Sequence, residues 1–171
     1  LKTLYLVRHA KSDWKSAANS DFERPLNKRG LKAAPLMGAR LKKQGCVPAL
    51  LLSSPARRAQ QTAKLLATAL DYPQEDIEFV PAIYAAELAL LIALIQKLPE
   101  PATTALLVGH NPGFSNLGQW LSLAAPDWLP TCGLLELRLD IDHWFEVHEG
   151  CANLLHYGYP KRHVSKPYEH S

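Results

Sequence analysis

The chain has 171 residues, 47% of them hydrophobic, and a net charge of +3, a size and composition that suit one compact domain spanning 1–171 and leave little room for two. No run of about 18 apolar residues occurs, which argues against a transmembrane helix, and the start lacks the basic-then-apolar pattern of a secretory signal, so a cytoplasmic location is expected. Three cysteines, Cys46, Cys132 and Cys151, are widely spaced and odd in number, which favours free thiols over a disulfide framework or a zinc site.

The net charge hides an asymmetry. Residues 1–64 hold 14 of the 19 Lys and Arg against only Asp13, Asp21 and Glu23, a balance of +11, whereas the rest of the chain holds 5 basic and 13 acidic residues, a balance of −8. Such a dipole favours an anionic partner at one face. A solvated basic surface with no role is the bland alternative until motifs are considered.

In chain order, the first predicted element is the strand "TLYLV", which delivers Arg8 and His9 side by side at its end. Neither belongs inside a strand unpaired, because desolvating a lone charge costs several kcal/mol or more. "LNKRGLKAAPLMGARLKKQG" places Leu31, Ala34, Leu36, Met37 and Leu41 near a helical period and ends at Gly45, where a left-handed cap is cheap. "PALLLSSPARRAQQTAKLLATAL" repeats the cycle with a short strand, Ser54 as a cap, Pro55 at the first helical position, and a helix carrying Ala59, Thr62, Ala63, Leu66 and Leu70. A third cycle runs from "IEFV" to a helix in "ELALLIALIQKL", and a fourth from "TTALLV" through "GHNPG" into "FSNLGQWLSLA".

"GLLELRLDI" and "HWFEVHEG" read as a pair of edge strands, antiparallel to each other, and the tail from about residue 157 has no clear period. Near-continuous apolar strands alternating with helices predict an α/β three-layer sandwich, with a mostly parallel central sheet flanked by helices.

In such sheets ligands gather at the carboxyl ends of the strands, where helix N-termini add partial positive charge. Arg8 and His9 follow the first strand, Arg57 and Arg58 the second, and His110 and Asn111 the "TTALLV" strand. A cation in the first turn of a helix is unfavourable unless an anion compensates. Two histidines and at least two arginines converging on one point make a phosphate-sized site, although each residue alone reads more readily as structural or solvated. A divalent metal is a poor fit, since adjacent guanidinium groups repel it and no carboxylate lies at ligand spacing from either histidine. A neutral imidazole is a competent nucleophile near pH 7, and arginines can hold phosphoryl oxygens bidentately.

Four stretches, "LVRHAKSDW", "DFERPLNKRG", "SSPARRAQQTA" and "VGHNPG", resemble the histidine phosphatase superfamily, also called the phosphoglycerate-mutase-like family, over nearly the whole chain. Within it they look most like the small bacterial phosphohistidine phosphatases. The resemblance implies the phosphoglycerate-mutase-like fold, His9 as the phosphorylated nucleophile, and Arg8, Arg58 and His110 as the rest of the phosphate pocket. Arg58, directly before "AQQTA", aligns with the family arginine, leaving Arg57 as rim or plain surface. Ser12 and Asp13 lie where further polar phosphate contacts occur in the family, with Asn111 beside His110.

Many members also carry a glutamate after the third strand as general acid; here "IYAAE" puts Ala85 at that place, with Glu87 two residues later. An alkoxide needs that acid, its conjugate acid having a pKa near that of water, about 15.7, whereas the imidazole of phosphohistidine can depart neutral. The expectation is therefore a phosphatase with no metal and no cofactor, acting on phosphohistidine in proteins. It has no nucleic-acid or membrane partner. The alternatives are a general phosphomonoesterase on small phosphate esters, with Glu87 or Asp13 as acid, and a phosphoprotein-binding module without turnover.

Overall fold

The alternation within β1 (Lys2–Arg8) sets the architecture: Leu4 and Leu6 enter one apolar core while Tyr5 and Val7 enter another. A strand apolar on both faces must be covered on both. In the computed structural model, which describes residues 1–15 and 20–162, helices α1 (Lys28–Lys43) and α2 (Arg57–Ala69) cover the Tyr5 face, and α3 (Leu88–Gln96) and α4 (Gly113–Leu121) cover the Leu4 face. The sheet between them has six strands in the order β3-β2-β4-β1-β5-β6. Strands β2 (Leu50–Ser53), β3 (Glu78–Phe79) and β4 (Thr104–Gly109) run parallel with β1, and β5 (Leu134–Leu139) and β6 (Ala152–Gly158) are antiparallel additions. The expected α/β three-layer sandwich is the fold.

Strands β1 and β4 are sheet neighbours, in a register that sets Arg8 opposite Gly109. The chain leaves β1 by α1 on one face and leaves β4 by α4 on the other. Departures to opposite faces open a crevice at the carboxyl ends of such a pair, and His9 and His110 are the next residues of each strand. The backbone N–H of His9 donates to the Gly109 carbonyl at 3.0 Å, which ties the two loops together.

Local details differ from the expectations in instructive ways. Helix α1 is capped by Asn27, whose side chain accepts from the Gly30 N–H at 2.8 Å, and it ends at Gln44 before Gly45 at φ +87°. Its buried stripe is Gly30, Ala34, Met37, Gly38 and Leu41, whereas Leu31 and Leu36 are 46% and 45% exposed. Close approach decided this: a side chain at Gly30 would collide with the Lys11 carbonyl, and one at Gly38 would press on Ala69 of α2. Helix α2 begins at Arg57 rather than Pro55, and Ser54 does not cap it; the Ser54 hydroxyl accepts from the Ala56 N–H and faces His110 instead.

The expected strand in "HWFEVHEG" is a 3-10 turn at Trp144–Glu146. Trp144 is fully buried with its indole N–H on the Ala102 carbonyl at 2.8 Å, and Glu146 accepts from the Asp142 and His143 N–H groups. The second antiparallel strand is β6, one segment later, so β5 lies between β1 and β6 rather than at the edge. Beyond β6 the chain is also held: Arg40 donates to the carbonyls of Tyr159, Pro160 and Arg162. The three cysteines are free and buried, and among the described residues no helix is long and apolar enough to cross a membrane.

Because the Gly30 contact is with backbone, Gly30→Ala is expected to cost roughly 1–3 kcal/mol of stability, the usual penalty of overpacking. Urea denaturation should show a lower midpoint at unchanged slope.

Candidate active site

Four loops meet at the carboxyl ends of β1, β2 and β4 around a cavity of about 500 Å³ lined by Arg8, His9, Ser12, Asp21, Arg24 and Arg58 among others. His9 is 6% exposed, and its Nδ1 lies 2.7 Å from its neighbour's carbonyl at Ala10. A carbonyl accepts only, so Nδ1 carries the proton and Nε2 keeps its lone pair. The Ala10 N–H in turn donates to Thr62 Oγ1 at 3.0 Å, and that hydroxyl donates to the Arg58 carbonyl at 2.7 Å. Thr62 thus bridges the nucleophile loop to the helix that carries Arg58.

The His110 ring sits 5.1 Å from the His9 ring, centroid to centroid, and edge-on to Tyr84 at 5.6 Å. Its Nε2 is 2.7 Å from the Ser54 hydroxyl, and its buried Nδ1 has no protein partner among the described residues. If Ser54 gives its single proton to Nε2, the ring's own proton is on Nδ1, which is the tautomer that offers a donor to an oxyanion. Arg8 donates to the Leu129 carbonyl at 3.0 Å and leaves its buried Nε unpaired, as do Arg24 and Arg58. Unpaired buried donors cost about 1–3 kcal/mol each, and here they gather on the residues of one cavity.

Asp21 supplies the counter-charge. One carboxylate oxygen accepts from Arg58 Nη2 at 3.0 Å and from the Tyr84 hydroxyl at 2.7 Å; the other accepts from Arg24 Nη2 at 3.1 Å. Arg24 also donates to the Ser12 hydroxyl and lies over the ring of Trp14, 3.5 Å from its centroid. Burial by itself would push the Asp21 carboxyl up, but the bonds from Tyr84 and Arg24 and the charge of Arg58 outweigh it and hold the group at about 2. Asp21 is therefore an anion at neutral pH, with no proton to give.

Both histidines are held neutral. Burial, with the charges of His110, Arg58 and Arg8 added, lowers His9 to about 3 against a smaller upward pull from the Ala10 carbonyl. Burial and then Arg58 lower His110 to about 4. At pH 7 the site holds two neutral imidazoles beside fixed cations, an arrangement that favours binding of a polyanion.

A protein-family model described as histidine phosphatase superfamily (branch 1) matches residues 4–82, which include Arg8, His9 and Arg58. An uncharacterised protein of Mycobacterium tuberculosis is 33% identical over 165 residues, covering 91% of this chain and 100% of that protein. The chain belongs to the histidine phosphatase superfamily. The structure of the protein histidine phosphatase SixA complexed with tungstate superposes with a TM-score of 0.79 at 25% identity, covering 93% of this chain and 97% of that one. A candidate phosphohistidine phosphatase SixA from Agrobacterium tumefaciens gives 0.78 at 28% identity, covering 93% and 98%.

In this histidine phosphatase the fold brings together His9, Arg8, Arg58, His110, Ser12 and Asn111. Asn111 is also spoken for structurally, donating to the Leu129 carbonyl at 2.7 Å and accepting from Ser115. Three other candidate residues lie outside that cluster. Asp13 turns away to accept from the Lys15 N–H at 2.8 Å and does not line the cavity. Arg57 is exposed, the plain-surface alternative, because successive residues of a helix point about 100° apart and Arg58 takes the direction of the crevice. Glu87 is the residue before α3 and lines, with Ala85 and Tyr84, a neighbouring cleft that shares Asn111 with the cavity. Sequence reasoning missed Asp21, Arg24, Ser54, Thr62 and Tyr84. The motif stretches "DFERPLNKRG" and "SSPARRAQQTA" contained Asp21, Arg24, Ser54 and Thr62, whereas no motif contained Tyr84.

The lowered histidines predict a pH dependence of stability. An unfolded imidazole takes a proton near pH 6.5 that the folded site refuses until about 4 or 3, so stability is full above 6.5 and falls as the pH drops through that window. Each histidine contributes up to about 1.4 kcal/mol per pH unit. Asp21 enters only below about pH 4. Denaturation midpoints between pH 7 and 4.5 should fall, and His9→Asn should make that slope shallower.

Proposed function

We propose that this protein is a cytoplasmic phosphatase that removes phosphate from phosphohistidine in proteins through a covalent intermediate on His9. The observation that carries the reading is the pairing of Asp21, the one carboxylate lining the cavity among the described residues, with Arg58 at 3.0 Å and Arg24 at 3.1 Å, which keeps it ionised. The phenolic donor beside it, Tyr84, is raised by burial and by Asp21, which makes it a weak acid. A site with no loaded acid suits a leaving group that needs none. Superposition on a protein histidine phosphatase bound to tungstate supports the same reading.

In the first step His9 Nε2 attacks phosphorus while the P–N bond of the substrate breaks. The electron pair returns to the substrate nitrogen, whose ring carries its proton on the other nitrogen and departs as neutral imidazole. The phosphorylated His9 ring becomes cationic, and its Nδ1–H stays on the Ala10 carbonyl. Arg8, Arg58 and His110 Nδ1–H stabilise the equatorial oxygens as charge shifts. Water then attacks phosphorus from the side the leaving group vacated, His9 leaves as a neutral ring, and the water protons end on inorganic phosphate or solvent. Residues 1–171 act as one catalytic unit in this scheme, with neither cofactor nor metal, and Ser12 and Asn111 line the pocket.

Incubation with a phosphohistidine peptide labelled with ³²P should place an acid-labile label on the wild type and none on His9→Ala; label persisting on the variant refutes the nucleophile. Arg58→Ala should lower kcat/KM by roughly 10²-fold or more, the scale for loss of one oxyanion donor. A wild type that takes no label and releases no phosphate is a binding module rather than an enzyme.

Across a panel of substrates, kcat/KM should be highest for phosphohistidine and low for phosphoserine peptides and sugar phosphates. Faster turnover of the esters would assign a general phosphomonoesterase instead.

A further inference from the structure

Beside the catalytic cavity lies a second one, of about 520 Å³, that the reaction does not use. Its walls are apolar: Ala33 and Leu36 of α1, Pro130 and Cys132 before β5, and Tyr159 and Pro160 after β6. Four cations, Lys11, Arg29, Lys32 and Lys161, stand around it, and none of them forms an ion pair among the described residues. Lys11, Arg29 and Thr131 line both cavities, so the two share a wall.

The groove is a built feature. Its Tyr159–Pro160 wall is fixed by the three carbonyl contacts of Arg40. Its floor is coupled to the nucleophile, since the Cys132 N–H donates to the His9 carbonyl at 3.0 Å. It also accounts for Leu36, an exposed leucine on a helix whose buried stripe lies elsewhere.

We infer that this groove docks an acidic segment of the phosphoprotein substrate, one large apolar side chain filling the cavity and flanking carboxylates lying on Lys32 and Lys161. The inference rests on the phosphohistidine reading of the active site. Unpaired cations around an apolar cavity select carboxylates next to a hydrophobic residue, and a nucleic acid would satisfy the charges but leave the apolar walls wet. Small phosphate esters reach only the catalytic cavity, so the groove distinguishes a protein substrate from them.

The test uses an acidic peptide with one leucine beside its histidine, together with versions carrying Lys for the acids or Gly for the leucine, and a single-stranded oligonucleotide. Binding of the unphosphorylated probes is read by fluorescence anisotropy. Turnover is measured on the same peptides after histidine phosphorylation and on phosphoimidazole. In Lys32→Glu/Lys161→Glu, two exposed positions outside the catalytic residues, binding of the acidic peptide should weaken and its KM rise at least about tenfold. Its kcat and the turnover of phosphoimidazole should not change. Unchanged KM and binding in the double variant, or equal binding of the basic peptide or the oligonucleotide, overturns the groove while leaving the phosphatase reading intact. Charge-dependent binding of the acidic peptide by a wild type that does not turn over phosphohistidine would uphold the groove and sink the reaction.

Discussion

The structure depends on one electrostatic arrangement: three guanidinium groups and two imidazoles packed where two adjacent parallel strands end. Like charges at this density repel, and burial strengthens the repulsion. Two responses are visible. The imidazoles stay neutral chiefly because burial disfavours the charged ring, with the arginine charges adding to it, His9 at about 3 and His110 at about 4, and one carboxylate, Asp21, is drawn onto Arg58 and Arg24 and held ionised at about 2. Burial keeps the two imidazoles neutral, and hydrogen bonds from Tyr84 and Arg24 with the charge of Arg58 keep Asp21 ionised.

The supporting residues serve that arrangement. Thr62 links the His9 loop to Arg58, Ser54 orients His110, and the Ala10 carbonyl fixes the His9 tautomer. Each acts through a hydrogen bond to a group whose orientation sets where a lone pair or a proton points. The loop of residues 20–25 is docked the same way, with the Phe22 carbonyl accepting from the Arg57 N–H at the start of α2. This explains why a residue at the surface of that helix still matters to the site through its backbone.

Much of the fold was legible because its signals are local. Apolar runs in β1, β2 and β4 announced strands buried on both faces, and Gly45 marked the end of α1. The errors fell where packing overrode local preference. Leu31 and Leu36 are better core residues than Gly30 and Gly38 by any hydrophobic scale, yet close approach to the Lys11 backbone and to α2 demanded small residues and rotated the buried stripe. "HWFEVHEG" alternates like a strand, but Trp144 had a buried acceptor at the Ala102 carbonyl, which strand geometry would not have reached.

For the site, the sequence by itself determined the family and which residues gather at the crevice. His9, Arg8, Arg58 and His110 are each set at a strand end or a helix start by short motifs, and those positions converge in any sheet of this kind. Only the tertiary structure decided which carboxylate meets the arginines. Asp13, Asp21 and Glu87 are equivalent on paper, and the path of each loop sends Asp13 into its own turn and Glu87 into another cleft while Asp21 lands on Arg58. Side-chain partnerships between segments far apart in the chain depend on distances that no local pattern encodes.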